Sequence, residues 1–400
     1  MISSDDLDLL RENLGRFGDH VTATLFPPGH DATPDGDLGA VAGLLGESAG
    51  MELTASPSPG CTRHDYGVWG RHVLTDGCRL SLEILAGLAE ACAGIGACVH
   101  AQGIGCLALD GWKPPGPGSA DAEPVGSHDT VAAVFVPPYG VALDNRTSGD
   151  GVHIDTATRR LVGASPFVWS ASAPERLVVF ARSDTAGGRD ADHRGWVVAA
   201  VPTEAPGVRI VDVGARVGLR ALSQFQVEFD GAVVDEASVV ASGPAAESVV
   251  TRVVACDWLG NAALALGTSR RARREAGDYA QGRYQGGHVI ARHAAVRLLL
   301  AEADHDVATM EALVGRLADE PLESMDAPDL LRWAIDCRLA VGEHAHRAVT
   351  NSVQALGGYG YLDDYGLSKR LRDVSALRVR HGGREQVLLL RQGLAQETTA

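Results

Sequence analysis

Residues 351–387 read NSVQALGGYGYLDDYGLSKRLRDVSALRVRHGGREQV, and the rest of the chain is interpreted outward from them. Gln354 is followed by the pair Gly357-Gly358, which predicts the end of a helix, because glycine adopts the left-handed backbone that other residues resist. Asp363-Asp364-Tyr365-Gly366 predicts a second turn. Leu367, Leu371, Val374 and Leu377 then recur at helical spacing, around Arg372-Asp373, until His381-Gly382-Gly383 interrupts the pattern.

The order and gaps of these residues resemble the C-terminal signature of the acyl-CoA dehydrogenase family. That signature is Gln-x-x-Gly-Gly-x-Gly-Tyr, then an Arg-Asp helix, then Glu-Gly-Thr/Ser. The resemblance implies an FAD enzyme that works as a homodimer or homotetramer and acts on an acyl thioester of CoA or a carrier protein. It also implies that Gln354, Gly357 and Gly358 touch the flavin nucleotide of a neighbouring subunit, with Gly383 and Glu385 on the cofactor side. His381 stands where the family usually carries the glutamate that removes the substrate α-proton. An imidazole, with an unperturbed pKa of about 6.5, can serve as that base. The alternative is a hydrogen-bonded histidine at a helix start, with Glu385 capping the helix or pairing with Arg384. Arg380 would place a cation beside any flavin. Some members carry the base on an earlier helix, near Val250 or Thr251 here, and neither side chain can act as one.

Composition narrows the function classes. With 45% hydrophobic residues, 400 residues suffice for a large core and two or three subdomains. A formal charge of −16 argues against nucleic acid, which needs clustered cations. Lys113 and Lys369 are the only lysines, so arginine supplies nearly all the positive charge. Seven cysteines without a CxxC spacing suggest reduced thiols in a cytoplasmic protein rather than disulfides or zinc. The acidic start MISSDDLDLLRENLG does not read as a signal peptide, and no run of about 18 apolar residues is expected to span a membrane.

Taken in order, residues 5–18 predict a helix capped by Ser3 or Ser4, and 38–49 a second. Residues 77–107, rich in Ala, Leu, Gly and Cys, predict helices buried on most faces. Their glycines do not follow a strand as a dinucleotide fingerprint would. Residues 112–126 predict a linker. Short β-rich runs follow at 130–136, 151–155, 177–181, 196–202, 208–213 and 225–229, which predicts an antiparallel barrel or sandwich. Helices are expected at 248–279, 289–319, 329–356 and 385–394, forming an antiparallel bundle. The expected fold is therefore α+β: an N-terminal helical domain (1–125), a central antiparallel β-domain (126–240) and a C-terminal four-helix bundle (241–400).

A second segment, DYAQGRYQGGHVI at 278–290, is similar to the family's Tyr-Ala-x-x-Arg-x-x-Phe-Gly-x-x-Ile. The resemblance implies that Arg283 meets the FAD pyrophosphate, a role suited to a fixed charged fork. Gly286 replaces the aromatic. The family's flavin-facing loop should fall near 135–140, where only a proline and a glycine persist, and its Trp-Ile-Thr/Ser strand near Phe167-Val168-Trp169-Ser170. Trp169 either stacks on flavin or fills the sheet core. Glu343-His344-Ala345-His346 is not expected to bind metal, since i and i+2 diverge on a helix, and His288 and His293 share no helical face. Two further readings stay open: a glutamate-less subunit pairing with a related chain, and a flavin monooxygenase on the same fold.

Overall fold

A computed structural model describes residues 4–25, 68–70, 72–109, 131–134, 151–184, 195–380 and 382–397. Helix α1 (Ser4–Leu25) continues past the expected end and packs on α2 (Arg79–Ala108) through Leu14, Phe17 and Val21. Strands β1 (Val131–Val134), β2 (Gly151–Asp155), β3 (Arg160–Ser170), β4 (Arg176–Asp184), β5 (Trp196–Pro202), β6 (Val208–Asp212), β7 (Ser223–Val233) and β8 (Val239–Ser242) form one sheet. Its path is β6-β7-β3-β2-β4-β5-β8, with β1 beside β4. The pairings are antiparallel except for β1 and β2, which each run parallel to β4.

Alternation along β4 sorts the core into two faces, as the two-residue period of a strand requires. Val178 and Phe180 join the helical core, while Leu177, Val179 and Ala181 build a second apolar cluster on the opposite face. Of strand β3, the sequence reading placed only the end, near residues 167–170, and by resemblance; its first half escaped because Ser165-Pro166-Phe167 breaks the pattern. The register slips between Ser165 and Val168, and Phe167 is exposed at a φ of 59°. A bulge of this kind interrupts alternation without ending the strand.

The C-terminal helices are α3 (Gly243–Gly282), α4 (Ala294–Gly315), α5 (Ala327–Ala355), α6 (Leu367–Val379) and α7 (Arg384–Glu397). Helix α2 lies along α3 as extensively as α5 does, so the N-terminal helices and the bundle share one core. The expected helix at 289–319 is shorter. Residues Tyr284–Gln285 and His288–Val289 instead pair as a hairpin, since Gly286 and Gly287 both have positive φ (62° and 91°) and suit a two-residue turn. Gly357 ends α5 at a φ of 60° and Gly366 precedes α6 at 71°, as their positions imply. The helix expected at 38–49 and the linker at 112–126 lie outside the described residues.

One expectation about membranes needs correction. Helices α2 and α3 are long and apolar enough to cross a bilayer by length and composition, although most of each apolar stretch is buried in the fold.

Asp306 on α4 is fully buried and accepts hydrogen bonds from His344 Nδ1 (2.7 Å) and Arg347 Nε (2.8 Å). Burial pushes its pKa up, but Arg347 and His344 outweigh burial and hold it below the usual value. Glu275 is likewise raised by burial and lowered further by Arg370 and Arg271. Folded pKa values below the unfolded ones give stability that is complete above the unfolded carboxylate values, about 3.9–4.3, and lost as pH falls through the folded values. Urea titrations should therefore show stability falling below about pH 4, with a shallower fall in Arg347→Ala. Identical pH slopes in parent and variant would count against this pairing.

Candidate functional site

The run Val253-Val254-Ala255-Cys256-Asp257-Trp258-Leu259 on α3 buries every side chain, including the carboxylate of Asp257. Asp257 is tolerable there because its oxygens are charge-paired and hydrogen-bonded. Arg380 closes a fork on it, with Nε to Oδ2 at 3.0 Å and Nη2 to Oδ1 at 2.7 Å. His100 Nε2 lies 3.1 Å from Oδ1, and Trp69 Nε1–H donates to His100 Nδ1 at 2.9 Å. That indole bond fixes the tautomer: Nδ1 accepts, so Nε2 carries the proton towards Asp257. Two glycines make room for these rings. A Cβ on Gly260, one turn from Asp257, would strike the imidazole, and one on Gly103 would sit 2.9 Å from the Trp69 indole.

Arg380 follows the last turn of α6, and its guanidinium lies over the Trp169 ring at 3.4 Å from the centroid. Arg338, buried on α5, donates to the carbonyls of Arg380 and Gly382 and so holds this turn of backbone. Asp373 anchors α6 from the other side, accepting Lys369 Nζ (2.5 Å) and the Leu219 N–H (2.7 Å). Trp169 is thus buried in the helical core with one face covered by Arg380, which is the core alternative of the sequence reading. Ser170 is fully buried, and its hydroxyl has no hydrogen-bond partner among the described residues. His381 lies outside the described residues, as do 135–140.

Gly383 and Glu385 are exposed at the start of α7. There Gln386 Oε1, rather than Glu385, accepts the Gly383 N–H at 2.9 Å, and Arg384 faces Glu343 at 4.0 Å instead of pairing with Glu385. The longer reach from the third helical position suits the backbone N–H better than the second. His288 and His293 come together after all, with ring centroids 4.2 Å apart, because the hairpin replaces the helix that would have separated them. No metal-holding group of three or more His, Cys, Asp or Glu occurs among the described residues.

At the far end of α3 the two family-like segments meet. Arg283 lies 4.9 Å from the Tyr359 ring, and Tyr279, Tyr359 and Tyr365 pack edge-on or tilted at 5.5–6.1 Å. Arg283 is half-buried and has no carboxylate partner among the described residues. Gln354, Gly357 and Gly358, shortly before Tyr359 in the chain, are exposed, and a Cβ on either glycine would meet open space. A guanidinium without a carboxylate partner among the described residues, next to a tyrosine that follows open glycine backbone, suits a phosphate-bearing group. From Asp257 to Arg283 the helix rises roughly 39 Å at 1.5 Å per residue. The chain therefore holds its two groups of site residues far apart along α3, one part-way along it and one at its C-terminal end.

Residues 251–393 match the family described as acyl-CoA dehydrogenase, C-terminal domain. The chain carries an acyl-CoA dehydrogenase C-terminal domain over those residues. It is 24% identical to the short-chain-specific acyl-CoA dehydrogenase of Megasphaera elsdenii, over 60% of this chain and 61% of that one. Curated acyl-CoA dehydrogenase relatives of this kind are matched over about three fifths of their length. In fold it is similar to prolyl acyl carrier protein oxidase AnaB (TM-score 0.73, 16% identity, 99% and 100% of the two chains). It is also similar to nitroalkane oxidase, described as a flavoprotein (TM-score 0.77, 17% identity, 100% and 96%).

The sequence reading named Arg283, Gln354, Gly357 and Gly358, and the structure brings Arg283 to Tyr359, just beyond that stretch. The reading missed Asp257, His100, Trp69 and Arg338. The available signal was a lone carboxylate inside an apolar helical run, which must find a buried cation.

Proposed function

We propose that this chain is an FAD-dependent oxidoreductase of acyl-CoA dehydrogenase type, acting on an acyl thioester of CoA or a carrier protein. One observation carries the reading: two segments some seventy residues apart bring Arg283, which has no carboxylate partner among the described residues, over Tyr359, the residue that follows the open backbone of Gly357-Gly358. That surface fits the phosphates of a dinucleotide. Its distance from Trp169 and Ser170 favours an assembly in which one copy holds the nucleotide of another copy's cofactor. Bound FAD would supply a hydride acceptor for the substrate β-carbon. The chain's own part is to position the acyl group and take the α-proton, and we assign that proton to His381.

Purified protein should show flavin absorbance that bleaches anaerobically with an acyl-CoA. His381→Ala should keep the absorbance and lose the bleaching, and the parent rate should rise with pH as neutral imidazole forms. No bleaching by any straight or branched acyl-CoA, in the parent or in His381→Glu, would sink the dehydrogenase reading. A second reading, a glutamate-less subunit working beside a related chain, draws support from Arg380 covering the Trp169 face. It predicts protein that stays colourless after added FAD and co-purifies with that chain.

Arg283→Ala tests the nucleotide surface separately. Losing a charge-assisted pair to phosphate costs roughly 2–3 kcal/mol, on the order of 30–150-fold in FAD affinity. Light scattering should show the oligomer intact. Equal FAD retention in parent and variant would remove Arg283 from the phosphates.

A further inference from the structure

The buried end of the site is unbalanced in charge. Among the described residues, Asp257 is the carboxylate that faces both Arg380 and Arg338. Arg338 gives its Nη2 hydrogens to two backbone carbonyls, which carry no compensating charge. Burial pushes its pKa down to about 10, which leaves it a cation at neutral pH. Two buried cations that share one carboxylate leave a net positive charge, which is strongly unfavourable unless something else supplies the negative charge.

Unused donors mark where that charge belongs. Arg380 has 5% of its side chain exposed; Nε and Nη2 serve Asp257, and Nη1 has no hydrogen-bond partner among the described residues. The indole Nε1 of Trp258 and Nε of Arg338 are also buried without partners among the described residues, and Arg338 lies 5.7 Å from the Trp258 ring. All three are donors, and none can accept. Trp169, stacked under Arg380, makes the neighbouring wall flat and apolar.

We infer that Arg380, backed by Arg338, is the seat for an anionic group on the acyl substrate, a carboxylate or an anion of similar shape. The substrate class is then a thioester whose acyl chain bears a second acid. This rests on the acyl-thioester reading above and narrows it. Asp257 is a positioning residue here: it holds the guanidinium so that Nη1 is left for the ligand, and it does not itself touch the acid.

The test is a binding ratio, read without turnover. Calorimetry on the purified full chain compares glutaryl-CoA, which carries a free carboxylate, with hexanoyl-CoA of similar reach. Glutaryl-CoA should bind at least about tenfold more tightly, and the advantage should shrink with salt. The paired variant Asp257→Asn with Arg380→Gln removes both charges without stranding either, and should bring the ratio to about one. Arg380→Lys keeps a cation against Asp257 and should lower the ratio severalfold, with circular dichroism melts reporting the fold of each variant. Equal affinities in the parent, no binding of either thioester, or a preference that survives in the paired variant would each overturn the assignment. So would a paired variant that shifts the flavin potential and leaves the ratio intact, since the cations would then serve the reduced ring. Failure of the dehydrogenase reading looks different: the thioesters bind with their expected ratio, yet flavin is never reduced.

Discussion

Replacing Asp257 by alanine should lower the free energy of unfolding by about 3–5 kcal/mol, because it breaks a buried ion pair from one side only. Arg380 would lose both hydrogen bonds of its fork, and the proton of His100 Nε2 would lose its side-chain acceptor. Arg338 would lose the carboxylate that offsets its charge. Water cannot compensate readily, since the side chains of His100, Asp257 and Arg380 are 0%, 1% and 5% exposed. Against a typical total of about 5–15 kcal/mol, this loss leaves a marginal fold. Asp257→Asn combined with Arg380→Gln should cost less, because it leaves only Arg338 without its carboxylate and removes the Arg380 charge together with its partner. Urea unfolding monitored by tryptophan fluorescence reads both. A loss below about 1 kcal/mol for Asp257→Ala would mean that the pair is solvated in solution and not the closed network described.

Gly267→Ala should destabilise by about 3 kcal/mol, the upper part of the usual range for overpacking. In an exposed helix interior the same change stabilises by roughly 0.5–1 kcal/mol, so the sign itself is the test. Gly267 sits where α3 crosses α2, and an added Cβ would overlap the Ala86 carbonyl. The obstacle is backbone, so no rotamer change relieves it, and two of the longest helices in the shared core must move apart. Gly282, near the end of α3 with nothing within 4 Å of an added Cβ, provides the control. Gly282→Ala should be neutral or slightly stabilising. Thermal melts of the two variants should diverge in opposite directions, and matching melts would show that α2 and α3 do not meet at Gly267.

The C-terminal third was legible because its signals are local. Gly357 and Gly366 need left-handed backbone whatever surrounds them, and Leu367, Leu371, Val374 and Leu377 mark one helical face by spacing alone. The α+β order was legible for the same reason, as two-residue alternation gives way to helical spacing near residue 243. The first half of strand β3 was not, since its bulge hides the alternation, and the hairpin at 284–289 was not, because strands of two residues are too short to show a period.

The site divides in the same way. Arg283 and Gly357-Gly358 could be proposed from their motifs, but the approach of Arg283 to Tyr359, just beyond those glycines, is a tertiary fact that depends on α3 and α5 ending side by side. The sequence by itself determined which residues carry charge, which can turn the chain and which faces are apolar. Only the tertiary structure decided that Asp257 on α3, His100 on α2 and Arg380 after α6 share one buried point, and that Arg338 adds a second cation beside it. Those residues are separated by up to 280 positions, and no local periodicity encodes such a pairing. The charge balance of a site is a sum over whatever the fold brings within a few ångströms, and at low dielectric that sum governs what the site can hold.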